Sequence, residues 1–175
     1  LHFMLRNDEG EVIDPFAGKM QSSDCSEKDY HSHYWQTAAK RALPYVTTGL
    51  LSYGFTSSSP DAKGARTGKF NASTLPTNAD AIILWTDVFG LRKGDDVVMQ
   101  IIGPDRVALV NHSSTVESNK AQMFQFAGKR LSEEKWPEGT YTAFYQVLRE
   151  EMGQTRKIID ETFTLDVIDA DSLKK

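Results

Sequence analysis

Cysteine is nearly absent from this chain: Cys25 is the only one among 175 residues. A single thiol cannot close an internal disulfide, and by itself it cannot assemble a thiolate zinc site. A positive surplus is missing too. Twenty Lys and Arg stand against 24 Asp and Glu, a net charge of −4. No basic excess is available to a phosphate backbone, so nucleic acid is not expected as a partner. Long apolar runs are also lacking. The longest uncharged stretch, Ala42 to Pro60, is full of Ser, Thr, Gly and Pro and too polar to cross a bilayer, so no transmembrane segment is expected. The chain opens at Leu1 without an initiator methionine, a charged leader or an apolar signal region. What remains, 39% hydrophobic and 25% charged residues, describes a soluble globular chain. Its length fits one ordinary domain plus a fragment of another, and allows about 70% of the unfolded surface to be buried.

The first residues are patterned. Leu1-His2-Phe3-Met4-Leu5-Arg6 alternates like a strand, Asn7-Asp8-Glu9-Gly10 reads as a polar turn, and Val12-Ile13-Asp14 reads as a short strand stopped by Pro15. A lone hairpin is marginal in water. Residues 1–19 are therefore expected to be the end of a domain whose body lies upstream.

Leu1-His2-Phe3 and Leu5-Arg6, followed by Gly10 and Ile13-Asp14-Pro15-Phe16, resemble the C-terminal end of lysostaphin-type zinc metallopeptidases, the peptidoglycan endopeptidases. In that family the segment reads His-x-His-Phe-Glu-Leu/Val-Arg, and Asp-Pro closes the catalytic domain. The resemblance implies that His2 corresponds to the second His of the pair, a zinc ligand. The first His, implicated in catalysis, would sit just before Leu1, and the remaining His and Asp ligands come from far upstream. Met4 stands where the family carries Glu, a position that is not a ligand. Catalytic zinc needs about three protein ligands plus an open position for water. One imidazole cannot hold the metal tightly, so this chain alone is expected to bind no zinc tightly and to catalyse nothing, and no catalytic residue is assigned within it.

From Gly18 to Asp29 the chain is polar and reads as a linker, with Ser26 placed to cap a helix over about Lys28 to Leu43 that Pro44 ends. Tyr30, Tyr34, Trp35, Ala38, Ala39 and Ala42 recur there near helical spacing. His31-Ser32-His33 looks like a chelating pair, but on a helix two residues apart means about 200° of rotation, which points the rings opposite ways. A metal site on His31, His33 and Asp24 is the weaker alternative to structural histidines. Cys25 reads either as a buried free thiol or, in a periplasmic protein, as the partner of an upstream cysteine.

From Val46 the periodicity becomes two. Strands are expected at Leu51–Phe55, Ala81–Phe89 (ended by Gly90), Asp96–Ile102, Val107–Val110, Ala121–Phe126, Thr140–Leu148 and Ile158–Ile168, with a turn near Met152-Gly153-Gln154 and a loop or irregular edge over Ser57 to Lys69. Strands at this spacing, each with one apolar face, make a two-sheet sandwich. Trp85 and Trp136 are expected in its core or rim. Trp136-Pro137-x-Gly139-x-Tyr141 resembles the corner where immunoglobulin-like domains tie a tyrosine hydroxyl to the backbone. Some lysostaphin-type peptidases carry a C-terminal module with similar text; the matching pieces are Trp35, Gly90 with Gly94-Asp95, and Trp136 to Tyr141.

Other motifs carry little. Gly64 to Phe70 is one residue short of a phosphate loop and ends in Phe where Ser or Thr would hold magnesium. Asn71-Ala72-Ser73 and Asn111-His112-Ser113 are glycosylation sequons by pattern, unmodified in a bacterial source. Glu133-Glu134-Lys135 and Arg149-Glu150-Glu151 read as solvated charge clusters beside turns. The expected fold is mainly β: an immunoglobulin-like antiparallel β-sandwich with one N-terminal helix, preceded by a leftover β-hairpin of a peptidase domain. The expected boundaries are 1–19 for the peptidase remnant, 20–45 for the linker and helix, 46–170 for the sandwich and 171–175 for a tail. The resemblance implies a non-catalytic C-terminal module of a periplasmic or extracellular cell-wall zinc endopeptidase. Its partners would be the upstream peptidase domain and peptidoglycan, with Tyr30, Tyr34 and Trp35 as a candidate contact surface. The alternative is a free-standing immunoglobulin-like binding or adhesion module.

Overall fold

Short-range turn chemistry organises the N-terminal residues. In a computed structural model, which describes residues 4–14, 19–20, 34–42 and 46–172, β1 (Leu5–Arg6) and β2 (Val12–Asp14) pair antiparallel with Leu5 opposite Ile13 and Arg6 opposite Val12. The Asn7–Gly10 turn is as expected. The Asn7 amide donates to the Glu11 carbonyl at 3.1 Å, the Gly10 amide to the Asn7 carbonyl at 3.0 Å, and the Glu11 amide to Asn7 Oδ1 at 2.8 Å. The Arg6 guanidinium closes the turn on the Gly10 carbonyl. A third strand, β3 (Lys19–Met20), pairs with β2 where the polar linker was expected to begin. The helix expected over residues 28–43 is shorter among the described residues: α1 spans Thr37–Ala42, and Tyr34 and Trp35 lie in a bend ahead of it. Six residues fall well below the length at which a helix sustains itself without tertiary packing. The chain divides into two compact units, residues 1–46 and 47–175.

The second unit realises the period-two pattern. Its strands are β4 (Gly49–Thr56), β5 (Thr74–Pro76), β6 (Ala81–Leu91), β7 (Asp96–Ile102), β8 (Ala108–Thr115), β9 (Lys120–Arg130), β10 (Gly139–Glu151) and β11 (Gln154–Ile168). They form a five-stranded sheet in the order β5-β11-β10-β7-β8 and a three-stranded sheet in the order β4-β6-β9. All neighbours are antiparallel except β5, which runs parallel to β11. With β4, β6 and β9 as A, B and E, and β7, β10 and β11 as C, F and G, this is the immunoglobulin arrangement: A-B-E faces G-F-C, with two further strands, β8 beside C and β5 beside G.

The core lies between the sheets. Ile82, Leu84 and Val88 of β6 meet Val97, Met99 and Ile101 of β7, Tyr141, Tyr145 and Val147 of β10, and Phe163, Leu165 and Val167 of β11. Each set comes from alternate positions, as one buried face of a strand requires. Met152 and Gly153 both take positive φ, 51° and 75°. They turn β10 into β11 as a two-residue hairpin of the kind that matches strand twist, with Glu151 opposite Gln154.

Two further features of this unit depart from expectation. Ser57 to Lys69 contains a short helix, α2 (Ala62–Arg66), whose N-cap Asp61 accepts from the Gly64 amide at 2.8 Å. Gly90 does not end β6. It sits within the strand at φ 72°, where an added Cβ would stand 1.8 Å from the Thr47 carbonyl oxygen. Glycine here permits a close backbone approach in place of a stop.

Candidate functional site

Of the residues singled out from sequence, His2, Asp24, Cys25, Tyr30, His31 and His33 lie outside the described residues. Tyr34 is 62% exposed and Trp35 is half-buried. Among the described residues no group of three or more His, Cys, Asp or Glu side chains is arranged to hold a metal ion. Among the same residues no helix is long and apolar enough to cross a membrane.

The immunoglobulin-like corner is present. The Tyr141 hydroxyl donates to the Pro137 carbonyl at 3.1 Å, four residues back, and the adjacent Trp136 indole donates to the Ala79 carbonyl at 2.8 Å. Burial raises the Tyr141 hydroxyl pKa, with a further push from Asp105. Trp136 thus joins the core from the loop before β10, as expected.

Asp95, next to Gly94, belongs to a buried ion pair, and the Gly90 carbonyl lies at the end of its hydrogen-bond network. Arg149, near the end of β10, donates through Nε to Asp95 Oδ1 at 2.7 Å and through a terminal nitrogen to Asp95 Oδ2 at 2.8 Å. The same terminal nitrogen reaches the Thr48 hydroxyl at 3.0 Å, and that hydroxyl donates to the Gly90 carbonyl at 2.8 Å. The Arg92 amide supplies Asp95 Oδ2 with another bond at 2.8 Å. Asp95 is 1% exposed and Arg149 6%, so this is a planar bidentate pair held out of water. The bond to Asp95 holds the guanidinium above its ordinary pKa, against the opposing effect of burial. The expectation that Arg149 belongs to a solvated cluster is therefore corrected. Its partner lies 54 positions away, and only the fold brings the two together.

A second carboxylate is engaged on the outer face of the three-stranded sheet. Asp87, 1% exposed, accepts from Arg66 Nε at 2.6 Å, from a second Arg66 nitrogen at 3.1 Å and from the Gln122 amide at 2.8 Å. Arg66 comes from α2, so the helix missed from sequence delivers the cation. Beside it Trp85 packs with Ala65 and Phe70, and its indole donates to the Phe70 carbonyl at 2.5 Å. Both buried carboxylates are thus paired with arginines.

No protein family matches the chain, and neither does any curated protein. In structure, the C-terminal domain of wzt is similar at TM-score 0.45 and 10% identity, over 70% of this chain and 74% of that one. A CARDB domain of a Pyrococcus furiosus protein, in complex with di-metal ions, is similar at TM-score 0.40 and 12% identity, over 73% of this chain and 99% of its own. Likenesses this distant assign neither a ligand nor a reaction to this chain.

Proposed function

We propose that this chain is the C-terminal portion of a bacterial cell-wall zinc metalloendopeptidase. Its immunoglobulin-like sandwich would be a non-catalytic module that positions or docks the catalytic domain. The observation that carries the reading is the ordered text from Leu1 to Phe16, whose described part folds as the β1–β2 hairpin around the Asn7–Gly10 turn. Under this reading His2 is one ligand of a zinc ion whose other ligands lie upstream. The zinc would activate a water for peptide hydrolysis. The sandwich contributes contacts and not bond-breaking: its two buried carboxylates are locked by arginines. The partners are the upstream peptidase domain and peptidoglycan, and the compartment is periplasmic or extracellular.

The test uses the full-length native protein. One bound zinc per chain and release of peptide fragments from purified peptidoglycan are expected, both abolished by His2→Ala. A full-length protein without zinc or hydrolytic activity would leave the free-standing binding module as the better reading.

A further inference from the structure

We propose that β8 is the docking edge for a second copy of this chain, the two β8 strands pairing antiparallel about a twofold axis at Ser113. A strand at the edge of a sheet carries a row of unpaired amides and carbonyls, and native proteins blunt such rows with charge, proline, a bulge or a cover. The other open edges of the sandwich are blunted. β5 is three residues long and ends in Pro76. β4 is bulged at Leu51, and Ala72 bridges its far end at Phe55. β9 carries Lys120, Lys129 and Arg130. β11, beyond the short stretch covered by β5, is bulged at Ile158 and carries charges between Arg156 and Glu161.

β8 has none of these guards beyond its start. Its register with β7 slips at Leu109 and then runs unbroken from Val110, opposite Ile101, to Thr115, opposite Asp96. In a chain whose residues are 25% charged, that stretch of Val-Asn-His-Ser-Ser-Thr holds no Asp, Glu, Lys, Arg or Pro. Among the described residues no strand pairs with its other side. Val116 fixes the direction of the backbone groups: its amide donates to the Asp95 carbonyl and its carbonyl accepts from the Gly94 amide, both at 2.8 Å. Along an antiparallel strand, residues alternate between bonding one neighbour and facing the other side. Val110, His112 and Ser114 therefore bond β7, while Asn111, Ser113 and Thr115 turn their amides and carbonyls outward.

Self-complementarity selects the occupant. The edge offers backbone groups and small neutral side chains, so it fits an uncharged extended strand, and β8 is itself such a strand. A twofold axis at Ser113 sets Ser113 against its own copy and Asn111 against Thr115 of the second copy. Every outward residue then meets an outward residue, giving about six ladder bonds. Moving the axis to His112 or Ser114 leaves one outward residue of each strand unmatched. The facing side chains, Ser with Ser and Asn with Thr on one face and His112 with Ser114 on the other, can hydrogen-bond across the ladder. Each chain carries a net charge of −4, and this edge lets two copies meet without opposing like charges. A single strand pair is smaller than the ~1,200 Å² of a standard interface, so the dimer is weak and reversible.

The experiment is sedimentation equilibrium of the 175-residue chain from about 10 μM to about 1 mM, the range of a small interface. The average mass of the parent is expected to climb from 19.6 kDa toward twice that value. Ser113→Lys and Ser113→Glu each set like charges face to face across the axis and should weaken association at least about tenfold. Both variants should melt like the parent, because Ser113 is exposed and its amide and carbonyl face away from β7. An equimolar mixture of the two variants should dimerise again, with opposite charges now facing each other. A parent that stays at 19.6 kDa throughout, or association undiminished in Ser113→Lys, overturns the β8 dimer. Failure of the mixture to associate, with each variant monomeric alone, overturns the pairing about Ser113. None of these outcomes depends on whether the full-length protein binds zinc or hydrolyses peptide.

Discussion

Replacing Arg149 with methionine is expected to destabilise the sandwich by about 3–5 kcal/mol. Arg149 spends three hydrogen bonds in the interior, two on Asp95 and one on Thr48. Methionine restores the apolar stem but leaves the Asp95 carboxylate, 1% exposed, with the Arg92 amide in place of a counter-charge. The loss is that of an uncompensated buried charge, well above the ~1 kcal/mol of an exposed pair. Against a net stability of about 5–15 kcal/mol for a typical domain, it removes a large share. Urea denaturation of the parent, R149M, D95N and the double variant measures it. The double variant should lose less than the sum of the single ones, because neither charge is then stranded. An R149M loss below about 1 kcal/mol, or additive losses in the double variant, would refute a desolvated lock.

Alkaline stability should depend on Tyr145. Burial, aided by Asp95 and opposed by the Thr86 hydroxyl, pushes its pKa from 10.0 up to about 12. The buried neutral phenol contributes fully below the unfolded pKa, and its contribution is lost as pH rises from about 10 through about 12. A rise of this size corresponds to about 3 kcal/mol. Urea titrations across this range should show a steeper fall for the parent than for Tyr145→Phe, and parallel curves would contradict the assignment. Gly90→Ala should cost more than about 2 kcal/mol, combining backbone strain with collision against the Thr47 carbonyl. Gly94→Ala, also at positive φ but with nothing within 4 Å of the added carbon, should cost only about 1 kcal/mol. Equal midpoint shifts in urea would remove the close-approach explanation.

Strands buried on one face were the most legible features of the sequence. β7 occupies Asp96–Ile102 as expected because Val97, Met99 and Ile101 recur at every second position on one buried face. Phe163, Leu165 and Val167 made β11 equally clear, and the Trp136 to Tyr141 text foretold its corner bond. β8 and β9 run further than expected, to Thr115 and Arg130. They are edge strands whose later residues are polar and exposed, so the apolar alternation fades before the pairing does. β5 is three residues long, too short to carry a period. α2 was hidden by its five residues and internal Gly64, although Asp61 after Pro60 is an N-cap signal. The Arg149–Asp95 pair left no local trace at all, since its meaning depends on two strands that meet only in the folded sheet. Of the candidate zinc site, only the hairpin that would carry it can be compared with the structure, because His2 lies outside the described residues.

The sequence immediately preceding Leu1 in the gene tests the central claim most directly. A His one residue before Leu1, a His-x-x-x-Asp further upstream and an export signal are expected there. A start codon at Leu1, or an unrelated domain joined to it, would contradict the peptidase assignment and leave an immunoglobulin-like binding module.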